Sequence, residues 1–251
     1  MTPFDWLWAT ARAMFERPHH QRIARVLEAL DAEMLRECGC LFGGGTAMTL
    51  RYGEYRESVD LDFLVSDLAG YRQLRQALTG PQGIGALVRA DATLTPTREV
   101  RADQYGVRTM LSVDAQAIKF EIVLEARITL TPPGDADVVC GVATLTPLDM
   151  AAAKLLANAD RWADDGVFSR DLIDLAMMAP KRRLFSQAAA KAQCAYGDAV
   201  FTNLHKAIES LKGRAGRLDR CMHVMGMQMP KAVVWERIRA LARMLPKDPP
   251  N

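Results

Sequence analysis

Phe42-Gly43-Gly44-Gly45-Thr46 and, ten residues on, Arg56-Glu57-Ser58-Val59-Asp60-Leu61-Asp62-Phe63 decide how this 251-residue chain reads. The first stretch ends a short apolar run, Cys40-Leu41-Phe42, in three glycines and opens a short helical pattern from Thr46 to Tyr52. A strand that stops in glycine at a helix start lets backbone approach an anion closely and aims free N–H groups at it. A plain tight turn uses the same glycines. In the second stretch, expected as a strand from Val59 to Val65, the alternation is sharp. Val59, Leu61 and Phe63 fall on one face, and Asp60, Asp62 and Leu64 on the other. Both carboxylates then project from one side of an element whose other side is apolar. A divalent metal is the economical partner for such a pair. The alternative is a strand whose polar face meets solvent.

Lys119-Phe120-Glu121-Ile122-Val123 is a further strand pattern in which Glu121 interrupts an apolar run. A carboxylate brought in from a neighbouring strand would complete a two-metal site, which clamps the attacking and leaving oxygens of an in-line displacement at phosphorus. A solvated Glu beside Lys119 is the plainer reading, and Glu125, four residues on along the same face, is the rival carboxylate.

Around this centre the pattern is α+β. Residues 19–37 carry Ile23, Val26, Leu27, Leu30, Met34 and Leu35 at helical spacing. Ser66 or Asp67 caps a helix running to about Leu78. Residues 86–94, 107–113, 117–128 and 138–142 read as strands, with Thr131-Pro132-Pro133-Gly134 breaking the run. From Pro147 onward the spacing is helical: 147–163, 169–179, 183–194, 196–212 and 231–244. The expectation is a mixed sheet flanked by helices over 1–145, followed by a helical region over 146–251.

Composition bounds the rest. A hydrophobic fraction of 49% and a charged fraction of 25% suit a globular chain that buries its core without disulfides. Five scattered cysteines make a poor disulfide framework and point to a reducing, cytoplasmic setting. Cys38-Gly39-Cys40 lacks a second half for zinc. No run approaches the ~20 apolar residues of a membrane span. The apolar start, with Phe4, Trp6, Leu7 and Trp8, carries Asp5 in place of a basic region and reads as an amphipathic helix rather than a signal peptide. Residues 1–145 hold 15 Lys and Arg against 19 Asp and Glu, a balance of −4; residues 146–251 hold 17 against 11, a balance of +6. An acidic half beside a basic one suits a metal site joined to a polyanion-binding surface, as it also suits plain solubility. The basic run from Lys212 to Arg220 can grip an RNA backbone or lie solvated on the surface. Met222, Met225, Met227 and Met229 read as adaptable packing.

Taken with Ala153-Lys154-Leu155, Arg161 and Arg170-Asp171-Leu172-Ile173-Asp174-Leu175, these blocks resemble the AbiEii/AbiGii toxin family of nucleotidyltransferases. The family pattern is a glycine pair with Thr or Ser, then Arg-x-Ser-x-Asp-Leu-Asp-Phe, then a Lys-Leu and an Arg-Asp-x-x-Asp-Leu block. The resemblance implies a polymerase-beta-like nucleotidyltransferase core with a helical C-terminal region. It implies an enzyme that moves a nucleoside monophosphate from an NTP to an acceptor hydroxyl, with RNA, and tRNA in particular, as acceptor. It further implies a toxin of a bacterial toxin–antitoxin or phage-defence system, with a cognate antitoxin. Carried over, Gly44, Gly45 and Thr46 hold the triphosphate. Asp60, Asp62 and Glu121 bind Mg²⁺, and Glu121 helps activate the acceptor hydroxyl. Lys154 neutralises phosphate charge, and Arg56 and Ser58 touch phosphate or fix the loop before the metal strand. Arg170, Asp171 and Asp174 support the site, with an Arg170–Asp174 clamp at helical spacing as one reading. Two departures stand out: the third carboxylate is Glu where the superfamily usually has Asp, and Thr46 replaces its frequent Ser. A same-fold enzyme acting on a small molecule or protein, and a catalytically silent binding module, are the rival functions.

Overall fold

The computed structural model describes residues 14–246. The expected N-terminal amphipathic helix and the tail beyond Pro246 lie outside them. The chain divides into two compact units between Thr146 and Pro147.

Among the described residues the first unit begins with α1 (Pro18–Ala29) and α2 (Ala32–Glu37). One continuous helix was expected over 19–37. It breaks because Leu30 is extended and bridges Val88, and Asp31 then restarts the helix by accepting a hydrogen bond from the Met34 N–H at 3.0 Å. Next come β1 (Leu41–Gly43), α3 (Gly44–Arg51), β2 (Leu61–Val65) and α4 (Leu68–Thr79), the last capped by Asp67 on the Gly70 N–H at 2.7 Å. The strand expected over 86–94 is instead a 3₁₀ turn, Gly83–Leu87, tied to the end of α1 by an Arg89 N–H to Ala29 carbonyl bond. Short β3 (Thr95–Pro96) and β4 (Arg101–Ala102) precede the long hairpin β5 (Gly106–Val113) and β6 (Gln116–Leu124). The single strand expected at 138–142 is a hairpin, β7 (Val138–Val139) and β8 (Val142–Ala143). It turns at Cys140 and Gly141, both at positive φ as a two-residue hairpin loop requires.

The main sheet runs β1-β2-β6-β5-β3, with β4 also on β5. β2 and β6 are parallel and the other pairs antiparallel, so the sheet is mixed. Its buried face carries a row of rings: Phe42 to Phe63 at 5.4 Å and Phe63 to Phe120 at 5.3 Å between centroids. Burying three aromatic side chains on one face commits every alternate residue of β2 and β6, including Asp62 and Glu121, to the other.

The second unit is helical: α5 (Pro147–Arg161), α6 (Arg170–Met178), α7 (Arg182–Tyr196), α8 (Ala199–Gly213), α9 (Arg217–Val224) and α10 (Lys231–Ala242). Leu155, Leu172, Phe185, Leu204 and Ile238 are fully buried or nearly so in its core. α9 was expected only as a basic loop and helix start; its apolar stripe, Leu218, Cys221 and Met222, is too short to stand out from the surrounding charge. No helix among the described residues is long and apolar enough to cross a membrane.

Candidate active site

The candidate site in the first unit is built around Asp62. Its strand register places Gly43 opposite on one side and Glu121 opposite on the other. Gly44, the first residue of α3, has φ +67, and a Cβ there would sit 2.8 Å from the Asp62 Cβ and collide with its carboxylate. Glycine is therefore demanded twice at this position, by conformation and by space. The acidic side chain lies against the positive end of α3, where a negative charge is stabilised. A Cβ at Gly45 would run into the Arg56 guanidinium, with Ser58 Oγ 3.2 Å away. The glycine turn thus packs against the very residues that the second sequence block supplies.

Thr46 is fully buried. Its hydroxyl lies 2.9 Å from Ser58 Oγ and also donates to the Asp60 carbonyl. Its hydroxyl thereby fixes the backbone that carries Ser58 and Asp60. Arg56 is buried and donates to the Glu57 carbonyl at 2.8 Å. His20, on α1, holds the same loop from below. Its Nε2 accepts from the Ser58 N–H at 3.2 Å and its Nδ1 meets Glu54 Oε1 at 2.6 Å. Only the neutral Nδ1–H tautomer satisfies both contacts. Burial pushes the His20 pKa below the ordinary histidine value, although Glu54 pulls the other way. No sequence signal marked His20; its spacing is that of a core position on α1.

Glu121 stands beside Asp62, as the sequence block led one to expect, but its carboxylate is turned to two cations. Arg108, its cross-strand partner on β5, donates to Oε1, and Lys119, two residues earlier on the same face, donates to Oε2. Burial raises the Glu121 pKa, but the Lys119 and Arg108 hydrogen bonds outweigh it, so the group lies below the ordinary carboxylate range. Among the described residues, no three His, Cys, Asp or Glu side chains are drawn together closely enough to hold a metal. The expected three-carboxylate set is thus not assembled in this arrangement. Asp60 and Asp62 supply the hard oxygen donors that a small divalent cation prefers. Glu121, beside Asp62, carries the same kind of donor, here shared with Arg108 and Lys119. The rival Glu125 is sealed at the end of β6, 2% exposed, with Oε2 2.7 Å from Arg127.

The remaining predicted residues lie in the helical unit. Lys154 of α5 is 6% exposed, and its Nζ sits 3.0 Å from Asp171 Oδ1 and 2.6 Å from Asp174 Oδ2, both on α6. Arg161 completes the cluster, with two bonds to Asp171 at 2.7 and 3.0 Å. Burial raises the Asp171 pKa, but the Lys154 charge and the Arg161 bonds bring it below the ordinary value. Two cations and two anions balance in the interior, as burial of charge demands. The clamp read from sequence as Arg170–Asp174 is therefore Lys154 and Arg161 with Asp171 and Asp174, while Arg170 is exposed. Lys154 has its charge answered by two carboxylates in this packing. The basic run is also largely answered within its own unit: Arg214 and Arg217 reach Asp165 at 3.0 and 2.6 Å, and Lys212 reaches Glu209 at 2.7 Å.

The family model described as "Nucleotidyl transferase AbiEii toxin, Type IV TA system" matches residues 25–247. Two solved structures are similar. One is described as a candidate nucleotidyltransferase from H. pylori: 18% identity, 90% of this chain and 91% of that one covered, TM-score 0.49. The other is JHP933 from Helicobacter pylori: 18% identity, 92% and 91% covered, TM-score 0.49. No curated protein matches the chain.

Proposed function

We propose, since this chain belongs to the AbiEii family of nucleotidyl transferase toxins of type IV toxin–antitoxin systems, that it transfers a nucleoside monophosphate from an NTP to a hydroxyl of RNA, tRNA foremost, with Mg²⁺ as its metal. Nucleotidyltransferases as a class use a divalent metal, and the family description implies an antitoxin counterpart. The observation that carries the reading is the register at Asp62: glycine turn and helix start on one side, Glu121 on the other.

In this reading the acceptor oxygen forms a bond to the α-phosphorus, the bond from that phosphorus to the bridging oxygen breaks, and pyrophosphate leaves. The N–H groups of Gly44 and Gly45 and the Arg56 guanidinium serve the triphosphate, since a helix start and a cation together favour polyphosphate. Thr46, Ser58 and His20 hold the Asp60 backbone in place. Asp60 and Asp62 would hold the metal, which when bound offsets charge on the transferring phosphoryl group. Glu121, beside Asp62, would join these ligands and help activate the acceptor hydroxyl, whose proton passes to water.

RNA as acceptor rests on the family and on the +6 balance of residues 146–251, rather than on the basic run, whose cations are largely paired. Incubating the purified chain with each α-labelled NTP and host RNA, small hydroxyl compounds or host proteins tests it. Label is expected on RNA of tRNA size, dependent on Mg²⁺. Label on a small molecule or protein alone overturns the acceptor; no label anywhere favours a silent module.

A further inference from the structure

Lys119 occupies a place that the transfer reaction above does not use. β2 and β6 are parallel with Leu61 beside Phe120 and Asp62 beside Glu121. Lys119, one residue before this register begins, interacts electrostatically with Asp62 and Asp60. Lys119 and Glu121 are two apart on β6, so both rise on the face that bears Asp60 and Asp62. The Lys119 ammonium is hydrogen-bonded to Glu121 Oε2. Arg108 takes the other oxygen. Three carboxylates on one sheet face, without a cation, repel one another and resist burial; here the chain supplies the cation itself.

We infer that Lys119 is the resident counter-cation of the carboxylate site, and that a divalent metal binds there by displacing its ammonium from Glu121 and from the field of Asp60 and Asp62. The inference rests on the reading of Asp60 and Asp62 as metal ligands. A lysine suits the task because it is a compact charge on a flexible stem. Its side chain is 41% exposed, so the ammonium has open space to move into. The Arg127–Glu125 pair nearby shows the contrast: there the carboxylate is 2% exposed and also accepts the Arg127 backbone N–H, which makes a fixed structural pair. Besides its hydrogen bond to Glu121, the ammonium lies in the field of Asp62 and of Asp60. The consequence is a site whose metal affinity, without nucleotide, is held down by its own lysine.

Binding of Mn²⁺ to the full chain, free of nucleotide, measured from the free-ion paramagnetic resonance signal, tests this. Asp62→Asn is expected to lose binding. Lys119→Met is expected to bind Mn²⁺ roughly two- to fivefold more tightly, the worth of one partly exposed ion pair. Lys119→Arg, which keeps the charge, is expected to bind as the wild type does. Thermal unfolding of each variant checks that the fold is kept. If Asp62→Asn loses binding while Lys119→Met binds no more tightly than wild type, the counter-cation role is overturned and the carboxylate reading stands. If Lys119→Arg tightens as much as Lys119→Met, charge is not the cause and the inference falls. If Asp62→Asn binds Mn²⁺ as wild type does, the carboxylate reading falls and takes this inference with it.

Discussion

Replacing Gly44 with alanine separates the two demands on that residue. The backbone there has φ +67, and an L-residue in the left-handed region costs roughly 1–2 kcal/mol. The added Cβ meets the Asp62 Cβ at 2.8 Å as well as its carboxylate, so Asp62 or the helix start must shift. Together the loss is about 2–3 kcal/mol. At roughly 2–4 °C per kcal/mol for a chain of this size, the melting temperature falls by about 4–12 °C. The effect on transfer is larger in proportion. Misplacing a reacting group by about 1 Å costs on the order of a hundredfold in rate, and Asp62 is the group displaced. Gly53→Ala is the matched control: φ is +85, but nothing lies within 4 Å of its would-be Cβ. It carries the backbone cost alone, about 1–2 kcal/mol, and leaves transfer unchanged. Thermal unfolding by circular dichroism and pyrophosphate release from NTP read the two quantities. A Gly44→Ala chain that transfers as wild type does, or a Gly53→Ala chain that loses transfer to the same degree, refutes the claim that the glycine turn exists to seat Asp62.

Two further predictions concern residues that hold each unit together from within. Lys154→Met removes the buried cation that Asp171 and Asp174 share, and the helical unit should lose about 3–5 kcal/mol in urea unfolding; a loss under about 1 kcal/mol contradicts a buried, balanced cluster. His20, whose folded pKa is depressed by burial, is neutral in both states above its ordinary value of 6.5. Below it the unfolded chain takes the proton first, so stability is full above 6.5 and falls as pH drops toward the folded pKa. His20→Gln should flatten the stability profile between about pH 6.5 and 5, a window that most carboxylates do not titrate in; an unchanged slope assigns the dependence elsewhere.

The sheet and the Asp62 neighbourhood were legible because they obey local rules. Period-two alternation placed Asp60 and Asp62 on one face, and three glycines before a helical pattern marked the turn against which they pack. The boundary at Thr146–Pro147 follows from the switch between two periodicities. What sequence alone missed depends on cross-strand and interhelical contacts. Glu121 is visible in its strand pattern, whereas Arg108, which faces it across β5 and β6, is thirteen residues away with no local cue. Lys154 is visible in its motif, but only the packing of α5 on α6 brings Asp171 and Asp174 to it. The break at Leu30 arose likewise from a distant residue, Val88. His20 looked like one more core position until its two ring nitrogens were seen to hold Glu54 and Ser58.

The most direct test is Asp62→Asn, which keeps shape and removes charge at the residue that register places between Gly43 and Glu121. With Mg²⁺, labelled NTP and host RNA, the variant should unfold within a few degrees of wild type yet transfer at least about a hundredfold more slowly. A folded Asp62→Asn chain that labels RNA at the wild-type rate contradicts the assignment of this face as the site of transfer.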